Sequence, residues 1–249
     1  MTRPSGWIIL ERASSLAVLA AALVVIWVAL SRHDTVQNPA NGPMSAPQKQ
    51  AVERVDRTVS TLPVAGGHRK PGSLVLIEFS DLECPFCGRF ARDVYPEIKR
   101  RLVDAGKLEY VFRHLPISSI HPNAFKAAQA VECARDQGRF EEMRLRVFAS
   151  QDALTVEHLS THAEELGLER SLFTACVTSE TAPRVQQDID EAIRLHVRST
   201  PTFFLGVVLP NERSAAIVRR VNGVQPYAVF ERVIDESRAP ALSGARLDN

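Results

Sequence analysis

The chain has 249 residues, 45% of them apolar and 24% charged, enough to bury a real core in one large domain or two small ones. Its 30 basic side chains against 29 acidic ones leave a formal net charge of +1, which gives no reason to expect nucleic acid or another polyanion as a partner. Four cysteines are too few for a chain of this length to be a disulfide-stapled miniprotein.

Residues 1–31 contain the run Ser14 to Leu30, which has no charge, Gly or Pro. At 1.5 Å per residue such a helix is about 25 Å long, the short end of a membrane span. Val28-Ala29-Leu30-Ser31 is a poor signal-peptidase site, so an uncleaved signal anchor is expected, with a cleaved signal peptide and a buried core helix as alternatives. Both export readings put the C-terminal bulk in the periplasm or otherwise outside the cytoplasm, where disulfides persist. Residues 32–71 carry Pro39, Pro43, Pro47, Pro63 and Pro71 with Gly42, Gly66 and Gly67. That composition predicts a flexible tether, with at most a short helix at Val52–Val55. A coil of about 40 residues reaches roughly 35 Å.

A folded domain is predicted over 72–237. Leu74-Val75-Leu76-Ile77-Glu78-Phe79 reads as a buried strand, and Ser80-Asp81-Leu82-Glu83 as a polar turn. A helix then starts at Pro85, whose missing N–H costs nothing in the first turn. The dithiol Cys84-Pro85-Phe86-Cys87 straddles that start, with Cys84 at the N-cap and Cys87 about one turn in. Orphan N–H groups and the helix dipole favour an anion there, so the Cys84 thiol should be acidified and act as the nucleophile, with Cys87 resolving. Half of a zinc site and an inert structural bridge are the competing readings. The first lacks a second CxxC in this chain.

Phe86, Phe90 and Val94 form the apolar stripe of the motif helix, which Pro96 should kink or end before a stop near Gly106. Leu108 to Leu115 is a second strand. Pro122 to Val197 reads as helical throughout, in pieces over Ala124–Ala134, Phe140–Phe148, Val156–Leu166 with Thr155 as cap, Leu172–Val177, and a last helix striped by Val185, Ile189 and Ile193. Ser199 to Leu205 is a strand opened by Pro201, and Ile217 to Val221 its antiparallel neighbour. Pro226 to Glu236 makes a terminal helix, with Val229, Phe230 and Val233 inward. The tail, 238–249, is expected to be disordered. From the residues alone, Pro201 follows either a cis bond or an ordinary trans one. Cys133 and Cys176 read either as a staple between two helices or as buried free thiols. His114 and His121, at the start of the insertion, read either as surface or capping residues or as lining the rim of the active site. Glu78 is either a buried carboxyl of raised pKa or one facing water.

The ordered set FSDLECPFC, FRHLP with HPNA, and STPTFF resembles the DsbA-like thiol:disulfide oxidoreductases of the thioredoxin superfamily, over about Pro63 to Glu236. The resemblance implies an α/β thioredoxin fold with an inserted helical subdomain, about 119–197, between its second and third strands. It implies a cis-proline loop at Thr200-Pro201 lying against Cys84 and, with Pro85 and Phe86, receiving an extended substrate segment. It further implies a proton relay at Glu78 and a second, structural bridge between Cys133 and Cys176. No metal and no organic cofactor are called for. The implied partners are exported proteins with cysteines and a quinone-linked membrane protein that reoxidises the pair. Phe86 departs from the family, which often has His there and so more positive charge beside the thiolate. The expected function is a membrane-tethered oxidase. A disulfide isomerase or reductase, or a non-enzymatic anchored binding module, are the alternatives.

Overall fold

The computed structural model describes residues 51–55, 61–64, 70–179, 182–210 and 213–243. The expected membrane segment Ser14–Leu30 lies outside them, and no helix among the described residues is long and apolar enough to cross a membrane.

Short strands β1 (Val52–Arg54) and β2 (Thr61–Pro63) precede β3 (Leu74–Ser80). Helix α1 (Pro85–Asp93) is followed by α2 (Tyr95–Ile98), which runs into a π-helical turn at Lys99–Val103, and then by β4 (Glu109–His114). Five helices come next: α3 (Ala124–Asp136), α4 (Phe140–Ala149), α5 (Val156–Glu165), α6 (Arg170–Ser179) and α7 (Ala182–Arg194). Strands β5 (Thr202–Val208) and β6 (Ser214–Asn222) and helix α8 (Tyr227–Ser243) close the chain. The sheet runs β1-β6-β5-β3-β4, with β2 also on β6; β3 is parallel to β4 and antiparallel to β5.

Every residue of β3 is buried, because it is central and covered on both faces, which is why its sequence is a continuous apolar run. Leu74 and Leu76 face a cluster containing Phe90 of α1, Tyr95 and Ile98 of α2, and Val229, Phe230 and Val233 of α8. Phe90 is fully buried, 4.5 Å from Phe203 and 5.7 Å from Phe230 between ring centroids, and its burial contributes about 2 to 3 kcal/mol to seating α1 on the sheet. Val75, Ile77 and Phe79 face the other way, against Ala192 and Leu195. The insertion has its own core, and both motif cysteines are buried in it.

Three expectations are corrected. Val52–Arg54 and Thr61–Pro63 do not belong to a free tether: as β1 and β2 they add antiparallel to β6, and Leu62 and Val64 are buried. Unpaired N–H and C=O groups on the edge of β6 reward any neighbouring extended chain, which proline-based reasoning misses, and Val52–Val55 is accordingly no helix. The stripe of α7 buries Val185 but leaves Ile193 64% exposed, with Ala192 inward instead. Helix α8 runs past Arg238 to Ser243, held on the sheet by a face that continues through Ile234 and Ser237.

Candidate active site

The β3 strand ends in a loop that delivers Cys84 to the start of α1. Cys84 is extended (φ −70°, ψ 124°), Pro85 opens the helix, and the Gly88 amide donates to the Cys84 carbonyl at 3.0 Å. Across from it the Thr200-Pro201 bond is cis, and the Cys84 thiol lies 3.7 Å from the Thr200 carbonyl oxygen. A hydrogen bond from the Cys87 thiol brings the Cys84 pKa down to about 5. The Cys87 and Phe86 amides at the helix start add to this, against the opposing cost of burial. Burial instead pushes the Cys87 thiol well above its ordinary value, and the nearby charges of Cys84 and Glu78 push it further. One neighbouring sulfur is therefore an anion near neutral pH while the other holds its proton.

The loop is braced from far along the chain. Asp81, fully buried, accepts from the amides of Glu83 (2.8 Å), Cys84 (3.2 Å) and Ile117 (2.7 Å), while His121 Nδ1 lies 2.8 Å from its second oxygen. The Asp81 amide itself points at Cys87 Sγ, 3.4 Å away. Glu83 accepts from the amide of Asn123 at the head of α3, at 2.7 Å. Gln151 Nε2, beyond α4, donates to the carbonyls of Leu82 and Cys84, each at 2.9 Å. Asp81 carried a local signal, the Asp two residues before an amide that its side chain caps. Gln151 carried none.

Glu78 is fully buried, so the alternative of a carboxyl facing water is excluded. Burial raises its pKa, opposed by the charge of Arg144 and a hydrogen bond from Tyr110. The Tyr110 hydroxyl donates to Glu78 Oε2, and Oε1 has no hydrogen-bond partner. Arg144 of α4 is 1% exposed and stacks over Tyr95, Phe112 and Tyr110 at 4.5, 5.1 and 5.5 Å. Neither Tyr110 nor Arg144 was legible as a site residue.

Phe86 is 53% exposed beside the dithiol, with the Arg89 guanidinium 5.0 Å from its ring, and Pro85 is also at the surface. The cis-proline loop is held by Thr202 Oγ1 donating to the Ser199 carbonyl at 2.7 Å and by the Gly223 amide donating to the Pro201 carbonyl at 2.9 Å. Cys133 of α3 and Cys176 of α6 are joined as a disulfide, with Cα atoms 5.7 Å apart. The surface reading of His114 is corrected: it is buried at the end of β4, its ring 3.0 Å from Glu132 of α3 and its amide donating to Asp188 of α7 at 2.9 Å. Burial alone would raise the Glu132 carboxyl, but His114 and Arg135 hold it down at about 2. His121 is likewise no cap; it serves Asp81.

Among solved structures, alpha-DsbA1 of Wolbachia pipientis matches with a TM-score of 0.58 and 26% identity, covering 72% of this chain and 92% of that one. BdbD of Bacillus subtilis has the same fold (TM-score 0.56, 19% identity, 72% and 92% coverage). Curated relatives include the Na(+)/H(+) antiporter NhaA 3 of Salinispora tropica, 39% identical over 133 residues (53% of this chain, 20% of that protein). NhaA 1 of Mycobacterium sp. (strain KMS) is 41% identical over 135 residues (53% and 22%). This chain spans about a fifth of the length of those two relatives, and ion exchange is said of them alone. Fold and comparisons together define the class, a DsbA-like thiol:disulfide oxidoreductase. The thioredoxin family profile matches residues 64–216, more than half of the chain, and the chain belongs to that family.

Proposed function

We propose that this protein is an envelope oxidase that inserts disulfides into exported proteins, with Cys84 as nucleophile and Cys87 as resolving thiol. In its oxidised form, a substrate thiolate attacks Cys84 Sγ and forms a mixed disulfide. The Cys84–Cys87 bond breaks, and Cys87 leaves with the electron pair and takes a proton from Glu78. A second substrate thiolate then attacks the substrate sulfur of the mixed disulfide and expels Cys84 as a thiolate. The substrate has lost two electrons and the pair has gained them. Thr200, Pro201, Pro85 and Phe86 would receive the extended substrate segment. A quinone-linked membrane protein would reoxidise the pair, and Ser14–Leu30 would anchor the chain with its catalytic domain in the periplasm.

One observation carries this reading: the Cys84 pKa of about 5 beside a Cys87 that stays protonated. A stabilised thiolate stabilises the reduced enzyme, so the disulfide form becomes a stronger oxidant. Equilibration with glutathione tests it. A potential nearer DsbA's ~−120 mV is expected, and one near thioredoxin's ~−270 mV would assign a reductase instead. Trapping in the Cys87→Ala variant should accumulate mixed disulfides with client proteins, and a blank would favour a non-enzymatic module.

A further inference from the structure

A cavity of about 580 Å³ opens beside the edge strand β4, beneath the inserted helices. Tyr110 and Arg144 line it, together with Tyr95, Phe112, Phe140 and Glu141. It is large enough for several water molecules, and its polar lining gives them partners. On the opposite side of Glu78 the way out is shut, since Cys84 is 5% exposed and Cys87 not at all. The Tyr110 hydroxyl already donates to Glu78, and the same residue reaches the cavity.

Arg144 adds a second observation. It is a buried cation whose Nε and Nη1 have no hydrogen-bond partner, a costly arrangement unless a negative charge forms nearby. It comes from α4, so the insertion supplies it. The groups that interact with Glu78 are Ser80 on its own strand, Cys87 of α1, Tyr110 of β4, Tyr95 of α2 and Arg144 of α4, and Glu141 of α4 acts on the last two. Tyr95 is engaged with Glu141, its hydroxyl donating at 3.1 Å. Among these charged groups Arg144 is the cation.

We infer that Tyr110 and Arg144 form a proton port for Glu78, through which protons enter from the β4 cavity beneath the insertion and never pass the cysteines. The inference rests on the relay reading of Glu78 and names its route. When Cys87 leaves Cys84 as a thiolate it takes the Glu78 proton. The Tyr110 hydroxyl hands its proton to the carboxylate and is resupplied by water in the cavity, while Arg144 balances the charge in the interval. The step consumes one proton per disulfide opened, and no electrons move in the port. Tyr110 and Arg144 are positioning residues, since neither touches the substrate.

The experiment follows the opening of the oxidised full chain by reduced glutathione in stopped flow, from about pH 5 to about pH 9. Glu78→Gln and Tyr110→Phe should each slow the step by about a hundredfold, the lower end for a lost proton-transfer group. The double variant should be no slower than either single one, as expected for two members of one route. Thiolate absorbance of reduced Cys84 should titrate as in the parent for all three, which a merely structural defect would not allow. Arg144→Gln should move the pH–rate profile to higher pH; if that variant does not fold, the Tyr110→Phe cycle decides alone. Tyr110→Phe at the parent rate with Glu78→Gln slow would overturn the port and leave the relay standing. Glu78→Gln at the parent rate would overturn both.

Discussion

His121 Nδ1 lies 2.8 Å from one oxygen of Asp81, and the other oxygen of that carboxylate accepts from the amide of Cys84. A residue outside the motif, at the mouth of the insertion, thereby fixes the turn that presents the nucleophilic sulfur. Asp81 serves four donors at once. Asp81→Ala should lower stability by at least about 2 kcal/mol in urea unfolding, because several amides would lose a charged acceptor in a dry site. It should also broaden the Cys84 titration. An unchanged midpoint would mean that the loop is held by other contacts.

Absorbance titration of the reduced protein should place the Cys84 transition at about pH 5, far below its ordinary value of 9.0. The sign for stability follows. Between those two pH values the unfolded chain carries a proton on Cys84 that the folded chain has lost, so unfolding takes up a proton and stability rises with pH. The gain is complete above about pH 9 and disappears as pH falls through about 5. Cys87, shifted upward, acts oppositely and only above its ordinary value. Melts of reduced against oxidised protein should therefore diverge as pH rises from about 5 to about 9, and parallel curves would refute the assignment.

A Cβ added at Gly88 would run into the Gln151 side chain, whose Cδ stands 2.7 Å from that position. Gly88→Ala should cost about 1 to 3 kcal/mol, since the amide that holds the Leu82 and Cys84 carbonyls must give way. Adding Gln151→Ala should cost less in the Gly88→Ala background than in the parent, because there it also relieves the overlap and the hydrogen bonds of the amide are already disturbed. Strictly additive losses in the double-mutant cycle would show that the two residues do not meet.

Removing the Cys133–Cys176 bridge by paired Cys→Ala substitution frees a loop with a sequence separation of 43. The chain-entropy argument gives an upper value of about 4 kcal/mol for the loss. The glutathione equilibrium of Cys84 and Cys87 should stay put, since the bridge ties α3 to α6 and does not touch either sulfur. A shifted equilibrium would make the bridge part of the redox site.

Short-range patterns were enough for the strand, the turn, the dithiol and the helix start, because a run of β-formers, a proline at a helix head and a two-residue spacing act within a few positions of one another. They also placed most helices of the insertion to within a few residues. The partners of Cys84 and Glu78 are another matter. Thr200, Gln151, Tyr110 and Arg144 reach the site only after β3 has paired with β4 and β5 and the insertion has folded back over β4. No local propensity encodes which distant side chain fills a gap in a packed interior, and burial of Glu78 comes from layers laid on both faces of the sheet. The chemistry available to this protein is thus written in one short stretch. The helix start in that stretch also marks Cys84 as the sulfur that ionises. Tertiary packing decided how deeply Cys87 is buried and what shields the carboxyl below it, because both depend on desolvation and charges contributed from dozens of residues away.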